Sequence, residues 1–263
     1  MFRRSASRGV LVVSVASWLA LTAPSTALAA PSVEDTIAQR MQACTGCHGS
    51  EGRAASDGYY PRIAGKPAGY LYNQLINFRD GRRTYALMTH LLQNLSDDYL
   101  REIAAYFAGL DLPYPPPQSP ALDATALARG QALVREGDPS RDIPACAQCH
   151  GAALTGVAPA VPGLLGLPRD YLNSQFGAWR IGQRHAHEPD CMAQVARQLG
   201  PDDVAAVTGW LATQAVPTPS EPATSLPAPM PLRCGGVADA GAGAGAAAED
   251  AAGNAAGAPA APR

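Results

Sequence analysis

The sequence has little charge and no excess of basic residues. Only 16% of its 263 residues are charged, and 20 Lys and Arg stand against 22 Asp and Glu, for a net charge of −2. Loss of residues 1–29 would remove three arginines and no acidic residue, which leaves a net charge near −5. Nucleic acids are bound by basic surfaces, so this balance argues against a nucleic-acid partner. It allows docking to a basic patch on a protein.

Long hydrophobic runs are also scarce. The one such run covers residues 9–23, whereas a membrane-spanning helix needs about 20 apolar residues. Three arginines precede the run, and an Ala-Leu-Ala cleavage pattern follows it at residues 27–29. These features predict a signal peptide over residues 1–29 and export to the periplasm. The alternative, an uncleaved signal that anchors the chain, stays open.

The sequence lacks the alternation of apolar and polar residues that is typical of strands. Apolar residues recur at helical spacing instead, as in Leu100, Ile103 and Phe107. Ser96 stands before this segment as a helix N-cap. The pattern predicts an all-α fold with long loops.

The chain repeats itself at an offset of about 101 residues. YPRIAGKPAGYL from Tyr60 matches VPGLLGLPRDYL from Val161, and NQLINFRDGRR from Asn73 matches SQFGAWRIGQR from Ser174. After that the second copy gains about three residues. The repeat and the composition predict five segments: signal peptide 1–29, domain 1 at 30–112, a Pro-rich linker at 113–123, domain 2 at 124–215, and a Pro/Ala/Gly-rich, largely disordered tail at 216–263.

Four of the six cysteines lie in two Cys-x-x-Cys-His motifs. This motif is the attachment signature of c-type haem. Two thiols one helical turn apart can add to the two vinyl groups of one porphyrin, and the histidine can then bind the iron. The motifs predict two covalently bound haems, with these residues as attachment points and iron ligands: Cys44, Cys47 and His48; Cys146, Cys149 and His150.

The cysteine motifs have two other interpretations. Two Cys-x-x-Cys pairs can combine into a Cys₄ zinc site, but the histidine of each motif would then have no role. A thioredoxin-like redox pair needs a strand before the helix, and the sequence has no such context. Haem attachment explains both copies and both histidines.

Methionine is a common second ligand of a histidine-bound haem iron. Met88 and Met192 take matching places in the two copies, at an offset of 104 residues, and are therefore the predicted axial ligands. Core packing is the alternative role. The other candidate ligands have less support, because none has a counterpart in the other copy. They are His90, His185, His187 and the thiol of Cys191. Four arginines are candidates to neutralise haem propionates: Arg79, Arg82, Arg180 and Arg184.

Cys191 and Cys234 are the two cysteines outside the haem motifs. In an oxidising compartment a spare pair of cysteines can form a disulfide. We expect this bond to tie the first part of the tail back to domain 2. Free thiols and an intermolecular bridge are the alternatives.

Taken together, these residues resemble the cytochrome c4 family of diheme cytochromes c. The likeness runs from about Thr36 to Thr213 and includes both haem motifs, the P-x-x-x-G and Y-L-x-x-Q segments and both methionines. It implies two class I cytochrome c domains with facing haems, and an electron carrier that is not an enzyme. It also implies a quinol-oxidising complex or a dehydrogenase as electron donor and a terminal oxidase as acceptor, with membrane association through such partners.

Two rival functions follow from the same motifs. One is a cytochrome subunit of a periplasmic dehydrogenase. The other is a diheme enzyme, such as a peroxidase or a thiosulfate-oxidising cytochrome. Such an enzyme needs one iron with an open position, and matching methionines in both copies argue against it. Cys191, Cys234 and the Ala/Gly-rich tail depart from the usual family pattern.

Overall fold

The computed structural model describes residues 34–54 and 58–237. From Asp35 onward the chain belongs to one unit by its internal contacts. The predicted signal peptide at 1–29 and the Ala/Gly-rich end of the tail, from residue 238, lie outside the described residues.

The first copy of the repeat is built from five helices among the described residues. Their bounds are α1 (Ile37–Arg40), α2 (Gln42–His48), α3 (Ala68–Arg79), α4 (Ala86–Leu92) and α5 (Asp97–Ala108), with a 3₁₀ turn at Ser50–Gly52. The predicted N-cap is present, since the Ser96 hydroxyl accepts a hydrogen bond of 3.3 Å from the backbone N–H of Tyr99. Asp97 and Asp98 lie in the first turn of α5, where acidic side chains interact favourably with the helix dipole.

The second copy has a similar order of helices, but its 3₁₀ turn comes before the cysteine helix and it adds a small strand pair. Its elements are α6 (Ala124–Arg135), a 3₁₀ turn (Pro139–Arg141), α7 (Cys146–His150), β1 (Gly156–Val157), β2 (Val161–Pro162), α8 (Arg169–Arg180), α9 (Cys191–Gln198) and α10 (Pro201–Ala212). The antiparallel β1–β2 pair is the one sheet among the described residues. The all-α prediction is confirmed, with this short ribbon as an addition. Among the described residues no helix has the length and apolar character needed to cross a membrane.

Each copy has its own hydrophobic core. The first core contains Leu71 from α3, Leu100 and Phe107 from α5, and Met41, which lies between α1 and α2. The second core is built from a different set, which includes Leu133, Leu154, Leu172, Val207 and Leu211. Two separate cores make two domains, here called domain 1 and domain 2.

Helices α6 and α10 cross closely in domain 2. Gly130 makes this crossing possible, because a Cβ atom there would lie 2.6 Å from the carbonyl carbon of Ala206 and 2.9 Å from Cβ of Trp210. Trp210 on α10 is 8% exposed and packs at this crossing.

The connection between the domains is held in place by side chains. The buried guanidinium of Arg62 donates hydrogen bonds to the carbonyl oxygens of Leu112 and Pro113, at 2.6 and 3.0 Å. It also lies over the ring of Tyr114, 3.9 Å from the centroid. Further along, the N–H of Gln118 donates to the carbonyl of Ala212. The Pro-rich connection is therefore fastened to both domains.

The first part of the predicted tail, residues 216–237, runs along domain 2 without regular helix or strand. Ala223 exchanges backbone hydrogen bonds with Gly156 and Ala158 beside β1, at 2.9 and 2.8 Å. Further on, the N–H of Gly235 donates to the carbonyl of Pro189 at 3.0 Å. The tail thus joins the loop after α7 to the segment before α9.

Candidate functional site

Helix α2 presents the first Cys-x-x-Cys-His motif. Cys44 and Cys47 are three residues apart and therefore share one face of the helix. The helix ends at Gly49, which has φ 75°, a left-handed conformation that glycine adopts at little cost. His48 is the last helical residue and is half-buried.

Helix α7 presents the second motif in the same way. It is short, begins at Cys146 and ends after His150, and Gly151 then turns the chain with φ 83°. His150 is 7% exposed, which makes the second histidine the more deeply buried of the two. The repeat seen in sequence is therefore a repeat of local geometry.

Both histidines are fixed through their Nδ1 atoms. His48 Nδ1 lies 2.9 Å from the carbonyl oxygen of Pro61, and His150 Nδ1 lies 2.7 Å from that of Pro162. Because a carbonyl only accepts hydrogen bonds, each Nδ1 must carry the proton and donate it. Burial lowers the pKa of both imidazoles, so the neutral form is favoured. Each Nε2 then keeps a free lone pair, the form that binds a metal.

The cysteine thiols lie in apolar surroundings. Burial raises the pKa of Cys146 to about 12 and raises those of Cys44 and Cys149 as well. These thiols are therefore protonated at neutral pH, unlike the reactive thiolate of a thioredoxin-like pair. The Cys, His, Asp and Glu side chains of residues 34–54 and 58–237 also form no group of three or more that could hold a metal ion. The zinc interpretation thus has no site in this part of the chain.

The two predicted methionine ligands lie in matching helices. Met88 is in α4 and packs against the core of domain 1, as does Cys44. Met192 is in α9 and packs against the core of domain 2, as does Cys146. Each methionine is half-buried. Each domain therefore brings one methionine to the same core as the first cysteine of its haem motif.

The alternative ligands are placed differently. His90 is exposed and lies 3.3 Å from the side chain of Gln93. His185 is also exposed, with Nε2 near the carbonyl oxygen of Gly182. Cys191 forms a disulfide with Cys234, so its sulfur has no thiolate to offer. The structure thus contains the disulfide expected from the sequence.

A symmetric polar cluster joins the two domains. Arg83 and Arg184 face each other across an antiparallel bridge, and each guanidinium donates to glutamines on both domains. The other members are Gln74, Gln175, Tyr70 and Tyr171. Backbone bonds on either side reinforce the contact, from Thr84 N–H to the Gln183 carbonyl and from His185 N–H to the Arg82 carbonyl. We call this set the interdomain arginine cluster.

The interdomain arginine cluster is rich in positive charge. Arg184 is 6% exposed, and its pKa is lowered by burial and by the nearby charge of Arg83. Neither arginine has a carboxylate within 4.0 Å among the described residues. A buried cation without an anion is costly. The cluster therefore fits a group that brings its own carboxylates, as haem does with its two propionates.

The arginines proposed from the sequence are mostly occupied elsewhere. Arg79 pairs with Asp80 and Asp97, and Arg82 pairs with Asp80. Arg180 is exposed on α8. Of the four, Arg184 alone lies in the cluster. Sequence reasoning missed Arg83, although the repeat offset of 101 residues pairs it with Arg184.

Removal of the Cys191–Cys234 bond is expected to destabilise domain 2. The bond closes a loop across 43 residues of sequence, which constrains the unfolded chain by about 4 kcal/mol on the entropy model. In a Cys191→Ala/Cys234→Ala variant, guanidinium-induced unfolding of domain 2 should shift to a lower midpoint. The same titration of the wild type after reduction should match the variant. An unchanged midpoint would show that the bond contributes nothing to folding.

No protein-family model matches the chain, but several curated proteins match it over most of their length. The thiosulfate dehydrogenase electron acceptor of Thiomonas intermedia is 35% identical over 207 residues, which cover 79% of this chain and 91% of that protein. The cytochrome c4 of Pseudomonas aeruginosa is 34% identical over 196 residues, or 73% of this chain and 94% of that protein.

Two solved structures are also similar. Reduced cytochrome c4 from Pseudomonas stutzeri gives a TM-score of 0.56 at 27% identity and covers 67% of this chain and 96% of that one. Thiosulfate dehydrogenase from Marichromatium purpuratum gives 0.59 at 33% identity over 66% of this chain. The matched part is about a third of that second protein, 36% of its chain.

Proposed function

Because the chain belongs to the cytochrome c4 family of diheme electron-transfer cytochromes, we propose that it works in the periplasm as the electron acceptor of a thiosulfate-oxidising dehydrogenase. The single observation that carries the choice of donor is the 35% identity to a protein named for that role, over 91% of its length. The electrons then pass to a terminal oxidase.

The two haems are bound covalently, through Cys44 and Cys47 in domain 1 and through Cys146 and Cys149 in domain 2. For the iron ligands we propose His48 with Met88 and His150 with Met192. The hydrogen bonds of both Nδ1 atoms support the histidines, since they leave each Nε2 unprotonated. Packing of each methionine on the core of its own haem motif supports the methionines. Bound haem supplies an iron that accepts and returns one electron.

The protein's own contribution is to hold both redox centres rigidly and to exclude water. The first cysteine of each motif packs against the hydrophobic core of its domain, and an apolar surrounding keeps solvent rearrangement small when charge changes. The interdomain arginine cluster would bind the propionates of both haems at the domain boundary. Arg62 and Tyr114 fasten the connecting segment. Fixed domains keep the separation of the two centres constant.

Two centres in one chain suit the proposed donor. Oxidation of a pair of thiosulfate anions to one tetrathionate releases two electrons, which is one for each haem. A carrier with two centres can therefore take both electrons from one turnover. The rival diheme enzyme has less support, because both domains provide a methionine beside the haem motif.

A second candidate is a cytochrome subunit that stays bound to its dehydrogenase. The similar solved structure of a thiosulfate dehydrogenase favours it, because the match covers only 36% of that chain. The two candidates differ in whether the carrier leaves its donor between turnovers.

The test mixes the oxidised holoprotein with thiosulfate, with and without a purified thiosulfate dehydrogenase. With the dehydrogenase, absorbance should show full reduction of both haems, and two electrons per chain should appear for each tetrathionate formed. Without it, reduction should be negligible. Fast reduction by thiosulfate alone would instead favour the diheme enzyme, and no reduction in either case would rule out this donor. Gel filtration of the mixture separates a free carrier from a bound subunit.

A further inference from the structure

Lys66 is a buried cation that crosses the domain boundary. It belongs to domain 1, directly before Pro67, the N-cap of α3, yet its Nζ donates a hydrogen bond of 3.3 Å to the carbonyl oxygen of Gly163 in domain 2. The residue is 5% exposed. Gly69 strengthens the same contact, since its N–H donates to the carbonyl of Pro159 at 2.9 Å.

The ammonium of Lys66 is poorly compensated. It has three N–H donors, and one hydrogen bond satisfies one of them. Among the described residues no carboxylate lies within 4.0 Å of it. Burial and the nearby charge of Arg62 lower the pKa of Lys66 to about 8, so most of the lysine is still protonated at pH 7. Such a charge is costly to bury, which points to a role other than stability.

Lys66 lies next to the backbone segment that holds the second haem-motif histidine, His150, in place. Gly163 follows Pro162, whose carbonyl accepts the hydrogen bond from His150 Nδ1 at 2.7 Å. A cation held by domain 1 thus lies one residue from the carbonyl that orients the proposed iron ligand of domain 2.

The first domain has no equivalent lysine. The repeat offset of 101 residues places Leu167 opposite Lys66, and Leu167 is buried in the core of domain 2. Arg83, by contrast, has a near-symmetric partner in Arg184 within the interdomain arginine cluster. Lys66 therefore breaks the symmetry of an otherwise repeated design.

We propose that Lys66 is a tuning residue that raises the reduction potential of the haem in domain 2 from its place in domain 1. Oxidation adds one positive charge to the haem iron, and a buried cation nearby makes that addition less favourable. The inference rests on His150 as the iron ligand of the proposed electron carrier. An electron that enters at the first haem is then drawn across the domain boundary to the second.

The test is a redox titration of the full holoprotein with Lys66→Met, followed by proton NMR. The methyl signals of the two oxidised haems report each potential separately. Met88→Ala and Met192→Ala assign each set of signals to a domain. Lys66→Met should lower the affinity of the domain 2 haem for an electron at least tenfold, which is about 59 mV for a one-electron couple. The haem of domain 1 should change less than twofold.

Matched variants separate charge from packing. Lys66→Arg keeps the charge and should stay near the wild-type potential, whereas Lys66→Gln keeps polarity without charge and should behave like Lys66→Met. Unchanged potentials in both neutral variants, or equal shifts at both haems, would overturn the proposal. If neither methionine variant displaces a set of haem signals, the ligand assignment is wrong, and the potential of the lysine variants still tests Lys66 itself.

Discussion

Met88→Ala and Met192→Ala are each expected to remove about half of the near-infrared sulfur-to-iron charge-transfer absorbance of the oxidised protein. Each domain offers one half-buried methionine on the core of its haem motif, so each variant should remove one of two iron–sulfur bonds. The potential of the affected haem should also fall, because a thioether ligand favours the reduced iron. Absorption spectra and redox titrations of the purified holoproteins measure both effects.

Met41→Leu is the matched control for these variants. Met41 is 2% exposed in the core of domain 1 and precedes the haem motif. A volume-conserving change in a core usually costs less than about 1.5 kcal/mol, and it should leave the charge-transfer band at full intensity. If Met41→Leu lowers the band, or if neither alanine variant does, the ligand assignment is wrong.

Gly130→Ala is expected to destabilise domain 2 more than any surface change. The new methyl group would lie 2.6 Å from the carbonyl carbon of Ala206 and 2.9 Å from Cβ of Trp210. Both are too close for real contacts, and a backbone atom cannot move aside as a flexible side chain can. Helices α6 and α10 would have to separate. Overpacking of this kind costs about 1–3 kcal/mol, and more where the backbone must shift.

Gly177→Ala is the control for the helix crossing. Gly177 lies in α8, and a Cβ there meets no atom within 4 Å. Alanine favours the helix over glycine by about 0.5–1 kcal/mol, so this variant should be slightly more stable than the wild type. Chemical unfolding followed by far-ultraviolet and haem circular dichroism compares the two variants. Equal stability of Gly130→Ala and the wild type would mean that the crossing tolerates a wider separation.

The features that sequence predicted are those encoded by residue type at short range. The cysteine motifs, the Ser96 cap and the helical spacing of the apolar residues in α5 are of this kind. The β1–β2 pair was missed because strands of two residues are too short to show alternation. The tail was expected to be largely disordered, and its described part, 216–237, has contacts along domain 2.

Contacts between the domains were the least accessible from sequence. Arg83 was overlooked because its meaning depends on a partner 101 residues away and on the angle between two domains. Comparison of the two copies does not single out Lys66, because the matching residue in the second copy is Leu167. Geometry was also needed to show that Pro61 and Pro162 act through their carbonyl oxygens. Sequence identified these prolines only as part of the P-x-x-x-G segments that the resemblance includes.

The Cys191–Cys234 bond has a consequence for the order in which the protein is assembled. The six cysteines have two different chemical fates: four become thioethers to haem and two form a disulfide. A disulfide that included a haem cysteine would block haem attachment. Cys234 is the last of the six along the chain, so any N-to-C delivery presents the four haem thiols before the partner of Cys191 arrives. Exchange between thiols and disulfides needs a thiolate, and a cysteine already bound to haem as a thioether has none, so haem attachment first leaves Cys191 and Cys234 only each other as partners. The position of Cys234 after α10, the last helix among the described residues, therefore delays closure of the disulfide until the four haem cysteines have been delivered.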